Sequence, residues 1–490
     1  MARMSRTLLG FGAATVALAG CMGAGAEVPS ASAPITQKEA QMGAQYHPQF
    51  LAEFGGAMSG PQAAYVEQIG KNVAVQSGLG NAREAFTVSL LNSPVNNAFA
   101  VPGGYIYTTR QLVTLMNNEA ELAGVLGHEV GHVAARHSQR RQQAATKNSI
   151  LGILGAIGSS LLLGNSQVGQ TLSRTFLEGS QLLTLKFSRQ QELQADDLGI
   201  QYLGRAGYDR RAMASVLSSL AAQNALDARL QGRNASVPEW ASTHPDPASR
   251  VQSALAKAGT ANNGVTNRDT FLSRIDGLRY GDDPAQGLIE GSTFIHPELR
   301  FAFTAPQGFY MVNGTRAVSI QGQGGQAQLT SAAYSGNLDT YVRQQFAALG
   351  AQNSTLAPSE MQRTEVNGLP AVYGTARVNN GSSQVDVVIF AYEFARDKAF
   401  HFAVIAPAGR AGTFSQMFQS MRRISQSEAQ AVVPLRLQVV TVARGDTVQS
   451  LARRMAYDSA QEDRFRVLNA LRSSDTVTPG QKVKLVVRDR

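Results

Sequence analysis

The sequence predicts a mainly α-helical first domain with a small β-sheet, an α+β domain after it, and a separate C-terminal unit. Three observations carry that expectation. From 37 to 256 the pattern is mostly helical, broken by one pair of strand-like segments. After the Gly- and Asn-rich stretch Lys257 to Asp269, β-branched and aromatic runs separated by turns take over. A distinct motif run then occupies 435–490. A chain of 490 residues is long enough for two to four domains.

Thr36 with Glu39, and Asn117 or Asn118 before Glu119, have the chemistry of helix starts. Phe86 to Leu91 and Ala98 to Thr108 read as strands, the second broken by Pro102-Gly103-Gly104. Lys257 to Asp269 is expected to be a linker, so the first domain spans 37–256 and the α+β domain 270–430. Within the latter, Leu338 to Leu349 and Ala411 to Met421 are helix-like, and the strand-like runs carry no obvious catalytic cluster.

Arg3 and Arg6 precede the apolar run Leu8 to Ala19, the pattern of an export signal over 1–20. That run is too short to span a bilayer. Leu18-Ala19-Gly20-Cys21 resembles a bacterial lipobox, which implies lipidation at Cys21, the single cysteine, and a membrane anchor. Met22 follows in place of Asp, which by the same resemblance implies the periplasmic side of the outer membrane. Residues 21–36 are small and Pro-containing, a flexible tether. Without Arg3 and Arg6, 42 basic residues face 35 acidic ones. This mild excess comes without any Lys/Arg block, so no nucleic-acid partner is expected. Ser149 to Gly164 is apolar and uncharged but short for a membrane span, and burial near the active centre is expected.

The chemistry starts at LGHEVGHVAARH, Leu126 to His137. His128 and His132 lie about 40° apart around a helix, so both imidazoles can reach one tetrahedral Zn²⁺. Glu129 lies beside them, where a carboxylate can hold a water and take its proton. The third ligand is not His137, which helical geometry turns about 140° away and which is expected to make a structural hydrogen bond. Between 133 and 200 the only glutamates are Glu178 and Glu192. Glu192 has Asp196 one turn on, placed to orient a histidine, while Glu178 has no such partner.

HEVGH followed by FSRQQELQAD resembles the HtpX/BepA/LoiP-type zinc metallopeptidases, relatives of the CaaX prenyl proteases. Asn96 to Leu112 (NNAFAVPGGYIYTTRQL) and Ser242 to Val251 (STHPDPASRV) agree with two further elements of that family. The resemblance implies a zincin-type fold over the first domain and one Zn²⁺ per chain held by His128, His132 and Glu192. It further implies Glu129 as general base, and substrate adding as a strand against Asn97, Ala98, Phe99, Ala100 and Val101. His244 either reaches the metal or stabilises an oxyanion, or else His244 and Arg250 merely fix a loop. The activity implied is endopeptidase cleavage of misfolded or misassembled envelope proteins. A wall-associated assembly factor with secondary proteolysis is the rival expectation. The last unit, with Gly445-Asp446-Thr447, Leu468-Asn469 and Thr478-Pro479-Gly480, resembles a LysM module. That implies a βααβ fold and peptidoglycan as a partner, with an enlarged middle at Ala456 to Asp463. The unit is expected to be removable without altering proteolysis.

Overall fold

Thr36 opens the first helix, Gln37–Glu53, through a capping box: its hydroxyl accepts from Glu39 N, and the Glu39 carboxylate accepts from Thr36 N. The computed structural model describes residues 33–144, 187–231, 244, 246–260, 264–349, 356–379 and 384–489. Cys21, most of the tether, Ser149 to Gly164 and Glu178 lie outside the described residues. Among those described, no helix is long and apolar enough to cross a membrane.

The first domain holds a three-stranded sheet of β1 (Thr87–Leu91), β2 (Ala98–Val101) and β3 (Tyr105–Thr109) in the order β1-β3-β2. β3 runs parallel to β1 and antiparallel to β2, so β2 is an edge. The turn from β2 to β3 needs positive φ at Gly103 and Gly104. The first helix presses on this turn: a Cβ at Gly103 would lie 2.5 Å from Glu39 O, and one at Gly43 2.3 Å from Pro102 O.

Asn118 caps the next long helix, Glu119–Ala134, by accepting from Glu121 N at 2.9 Å. This metal helix is buried along nearly its whole length and packs on helix Arg189–Arg205. The approach is close because the contact points are glycines. A Cβ on Gly199 would sit 3.0 Å from His128 N, and one on Gly131 3.1 Å from Ala195 O. Helices Ala212–Gln231 and Pro247–Ala258 complete the bundle.

Much of the stretch read as a linker is ordered. Helix Pro247–Ala258 runs through Lys257, Val265 bridges to Tyr208, and Arg268–Ile275 is a helix. Its Phe271, Leu272 and Ile275 are buried in the same cluster as Leu122 and Leu126. A boundary at 270 therefore falls inside a helix of the first domain's core.

After β4 (Arg279–Tyr280) the chain enters a β-rich domain. A small antiparallel sheet, β5 (Leu288–Glu290), β6 (Thr293–His296) and β7 (Phe301–Thr304), faces a larger one. The larger comprises β8 (Tyr310–Asn313), β9 (Val318–Gly322), β10 (Gly325–Ser331), β11 (Glu360–Val366), β12 (Leu369–Asn379), β13 (Gln384–Ala395) and β14 (Lys398–Pro407). Its order is β11-β12-β13-β14-β10-β9-β8. Phe294, Phe301 and Phe303 meet Phe390 and Phe402 between the sheets, and helix Leu338–Ala348 covers the other face. The helix expected over Ala411 to Met421 is a 3₁₀ turn, Ala411–Phe414, continued by helix Ser415–Ser420. Short β15 (Arg422–Arg423) returns to pair with β7.

The last unit is built from β16 (Leu435–Thr441), helices Val448–Ala452 and Gln461–Leu468, and β17 (Lys482–Arg488). β16 pairs antiparallel with β17 on one side and with β4 on the other. Leu437, Leu451, Phe465 and Leu485 join the buried cluster of the first domain. Removing this unit would open that shared core to water.

Candidate metal centre

His128 and His132 project from one face of the metal helix, with their Nε2 atoms 3.0 Å apart. Glu192, on the first turn of helix Arg189–Arg205, places its carboxylate oxygens 3.5 Å from each of those nitrogens. His244 adds a fourth donor, its Nδ1 3.2 Å from His128 Nε2 and 3.0 Å from Glu192 Oε2. One donor atom from each of the four residues lies within 4.8 Å of the others, and all four residues are buried. Four ligands about 2.1 Å from one tetrahedral ion lie about 3.4 Å from each other, so the donor set matches a single Zn²⁺. Charge fits as well. Three buried carboxylates (Glu129, Glu192 and Asp196) meet one guanidinium, that of Arg250, which leaves room for a dication.

Each histidine is oriented through its second nitrogen. His128 Nδ1 pairs with Asp196 Oδ1 at 2.9 Å. His132 Nδ1 lies 2.8 Å from His137 Nδ1, and His137 Nε2 lies 3.0 Å from Gln194 Oε1. This contact exists because the metal helix stops at Ala134 and Arg136 adopts a left-handed φ of 52°. The break rotates His137 back toward the site, where a continuous helix would have carried it away. Phe187 stacks on His132 with ring centroids 3.9 Å apart. His244 Nε2 faces Ala98 O at 3.3 Å and Glu129 Oε1 at 3.4 Å.

Arg250, only 1% exposed, spans both carboxylates of the partner helix. Its Nε and Nη2 donate to Asp196 at 2.8 and 2.5 Å, and its Nη1 donates to Glu192 at 2.7 Å. The sequence offered only a loop-fixing role for Arg250; its bonds run to Glu192 and Asp196.

These contacts set the protonation states. Burial alone pushes Asp196 up, but hydrogen bonds from Arg250 and His128 hold it well below the usual carboxylate range. Burial likewise raises Glu192, and the facing histidines outweigh it, leaving it well below its ordinary value. For His128 burial lowers the pKa, yet the bonds to Asp196 and Glu192 carry it to about 9. Glu129 goes the other way: burial raises it, and neither of its oxygens makes a hydrogen bond among the described residues. A raised carboxylate without a hydrogen bond suits proton transfer.

Beside His132 opens a cleft lined by Ala100 and Val101 of β2, Val133, Ser138, and the linked trio Glu39, Arg136 and Gln139. Glu39 Oε1 accepts from Arg136 Nε at 3.1 Å and from Gln139 Nε2 at 2.7 Å. Arg136 also donates to Ala33 O and Pro34 O, which holds the start of the described chain against this wall.

Against known proteins, residues 61–258 match peptidase family M48, and residues 440–486 match the LysM domain. The chain thus carries a peptidase domain that matches family M48 and a C-terminal LysM domain. Its M48 domain is 34% identical over 195 residues to the beta-barrel assembly-enhancing protease of Escherichia coli, covering 40% of this chain and 38% of that one. It is 33% identical over 174 residues to the mitochondrial metalloendopeptidase OMA1 of Arabidopsis thaliana, covering 36% and 32%. It is 30% identical over 158 residues to metalloprotease LoiP of Escherichia coli, covering 32% and 56%. The chain thus spans about two fifths of the first of these relatives and a little over half of the last. All five residues of the metal cluster and its base lie within the M48 domain, whereas Glu39 of the cleft wall lies before it.

The sequence reading did not assign Arg136, Glu39 or the oriented pair His132 and His137. Helical projection pointed away from His137, and only the break at Arg136 reverses that.

Proposed function

We propose that this chain is a zinc-dependent endopeptidase of the bacterial envelope, anchored through Cys21 to the periplasmic side of the outer membrane, cleaving misfolded or misassembled envelope proteins. The observation that carries the chemistry is the buried set His128, His132, Glu192 and His244 with Glu129 beside it, its oxygens without a hydrogen bond among the described residues. Zinc held there would polarise a peptide carbonyl and acidify water. Glu129 takes the proton of the attacking water on a carboxylate oxygen and returns it to the leaving amine nitrogen. Asp196 and His137 hold His128 and His132 in the orientation that points Nε2 into the centre. An extended substrate pairs with the free edge of Asn97 to Val101 through backbone hydrogen bonds, which need little sequence preference. His244 now sits on Ala98 O of that edge, so it moves aside when a peptide docks. The substrate class and the anchor rest on the relatives and on the lipobox-like stretch, and the LysM module adds peptidoglycan as a wall partner.

The test is Glu129→Gln in the full chain. Zinc content and thermal stability should stay near wild type, while cleavage of unfolded casein falls about 10²-fold or more. Near-normal cleavage with zinc retained would remove Glu129 from the mechanism. The rival reading, an assembly factor with repressed proteolysis, draws on the closed position of His244. It predicts chelator-insensitive function and no casein cleavage by the wild type.

A further inference from the structure

β17 carries a lysine where the pattern calls for a core residue. Lys484 is 0% exposed, and its Nζ donates to three backbone carbonyls: Thr114 O at 2.8 Å, Leu115 O at 3.1 Å and Met116 O at 2.6 Å. These groups end the helix Arg110–Leu115, where carbonyls lack intrahelical partners and a cation is favoured. An ammonium has three N–H donors, and here three acceptors meet them.

The next residues start the metal helix. Asn117 N donates to Glu121 Oε2 at 2.7 Å, and Asn118 caps. Ser215 also donates to Glu121, at 2.8 Å, and Arg268 joins Asn117 O to Lys482 O of β17. Asn469 locks the backbone of Lys484 itself, accepting from its N at 2.7 Å and donating to its O at 3.0 Å. The C-terminal unit is therefore bonded to the hinge from which the metal helix begins.

We propose that this unit is a clamp on the metal helix and that Lys484 is a positioning residue for the reaction at the metal centre. The second half rests on the hydrolytic reading above. From Asn118 to His128 the helix rises about 15 Å, so a tilt of about 4° at its start moves the ligands by about 1 Å. A displacement of that size far from the chemistry can cost up to about 10²-fold in rate. An apolar residue at 484 would fill the space but take this donor from Thr114 O and Met116 O and leave Leu115 O with Asn117 Nδ2 alone.

The experiment compares wild type and Lys484→Met as full-length, zinc-loaded chains. It measures kcat and KM on unfolded casein, and native-state hydrogen exchange of amides 117–122. The clamp predicts kcat lowered about tenfold with KM within about twofold, and exchange at 117–122 at least about tenfold faster. Unchanged kcat below the melting temperature, with unchanged exchange at 117–122, overturns it even if Tm falls, since that is the behaviour of a merely structural residue. Casein left intact by the wild type removes the hydrolytic reading and the positioning role with it, and the exchange data then decide the clamp alone. If Lys484→Met does not fold, Asn469→Ala, which loosens β17 and keeps the ammonium, is judged by the same two measurements.

Discussion

Two regions of this molecule bury histidines, one beside carboxylates and one beside aromatic rings. In the M48 domain His128 is enclosed by Asp196 and Glu192, and its pKa rises to about 9. In the β-rich domain His401 meets only the Tyr341 hydroxyl at 2.8 Å, and burial takes it down to about 4. His296 behaves the same way, lowered to about 4 by burial with Lys398 adding to it. Burial works against the charged imidazole in either place. Asp196 and Glu192 carry His128 up, whereas burial holds His132 in the same centre well below its ordinary value despite Glu192. The aromatic packing between the sheets, with Phe294, Phe303, Phe390 and Phe402, needs no polar partner at all.

The largest effect expected from this contrast is at Glu192. Glu192→Ala removes a ligand and leaves Arg250 with half its partners, so zinc per chain should fall below about a tenth and casein cleavage by about 10³-fold. Full zinc by metal analysis of this variant would break the assignment and point to Glu178 or to His244 as the replacement.

Next is Arg250→Leu, which keeps every ligand but strands two buried carboxylates. Unfolding in denaturant should show a loss of about 3–5 kcal/mol in the metal-free protein, the scale for breaking a buried pair from one side. Added zinc should recover part of that loss, because the ion supplies the missing positive charge. Indifference of the variant's stability to zinc would mean that charge compensation is not what Arg250 provides.

The smallest effect belongs to the β-rich domain. His401 and His296 fold with pKa values near 4, below the ordinary 6.5. Their neutral forms are favoured, so stability is complete above about pH 6.5 and is lost as the pH falls toward about 4. Replacing His401 by Gln, which stays uncharged, should shrink that acid-induced loss by about 2 kcal/mol, read from urea melts between pH 7 and 4. An identical pH profile in the variant would show that His401 is protonated in the fold after all.

How far these regions were legible differs in the same way. HEVGH and FSRQQELQAD state their chemistry in spacing alone, because a helix converts four residues into one face. Spacing put His128, Glu129 and His132 on one helix and Glu192 and Asp196 on another; that the two groups meet was implied by the family resemblance. His137 was readable only as a hydrogen-bonding residue, since its partner depends on the reversal at Arg136. In the β-rich domain the strands were recognisable one by one, but strand order is a matter of long-range pairing that no local pattern records.

By itself, then, the sequence determined the donor set of the metal centre, the edge-strand motif with its Pro-Gly-Gly turn, and the succession of a helical, a β-rich and a LysM segment. The His128, Glu129 and His132 face and the Pro-Gly-Gly turn follow from helical period and turn chemistry, while Glu192 as ligand, the edge strand and the LysM segment followed from family resemblance. The tertiary structure alone decided that His244 closes the centre, that Arg250 bridges Glu192 and Asp196, and that the LysM module shares its core with the M48 domain through Lys484. Each joins residues far apart in the chain, and each is set by where buried charges and unpaired carbonyls find partners once water is excluded.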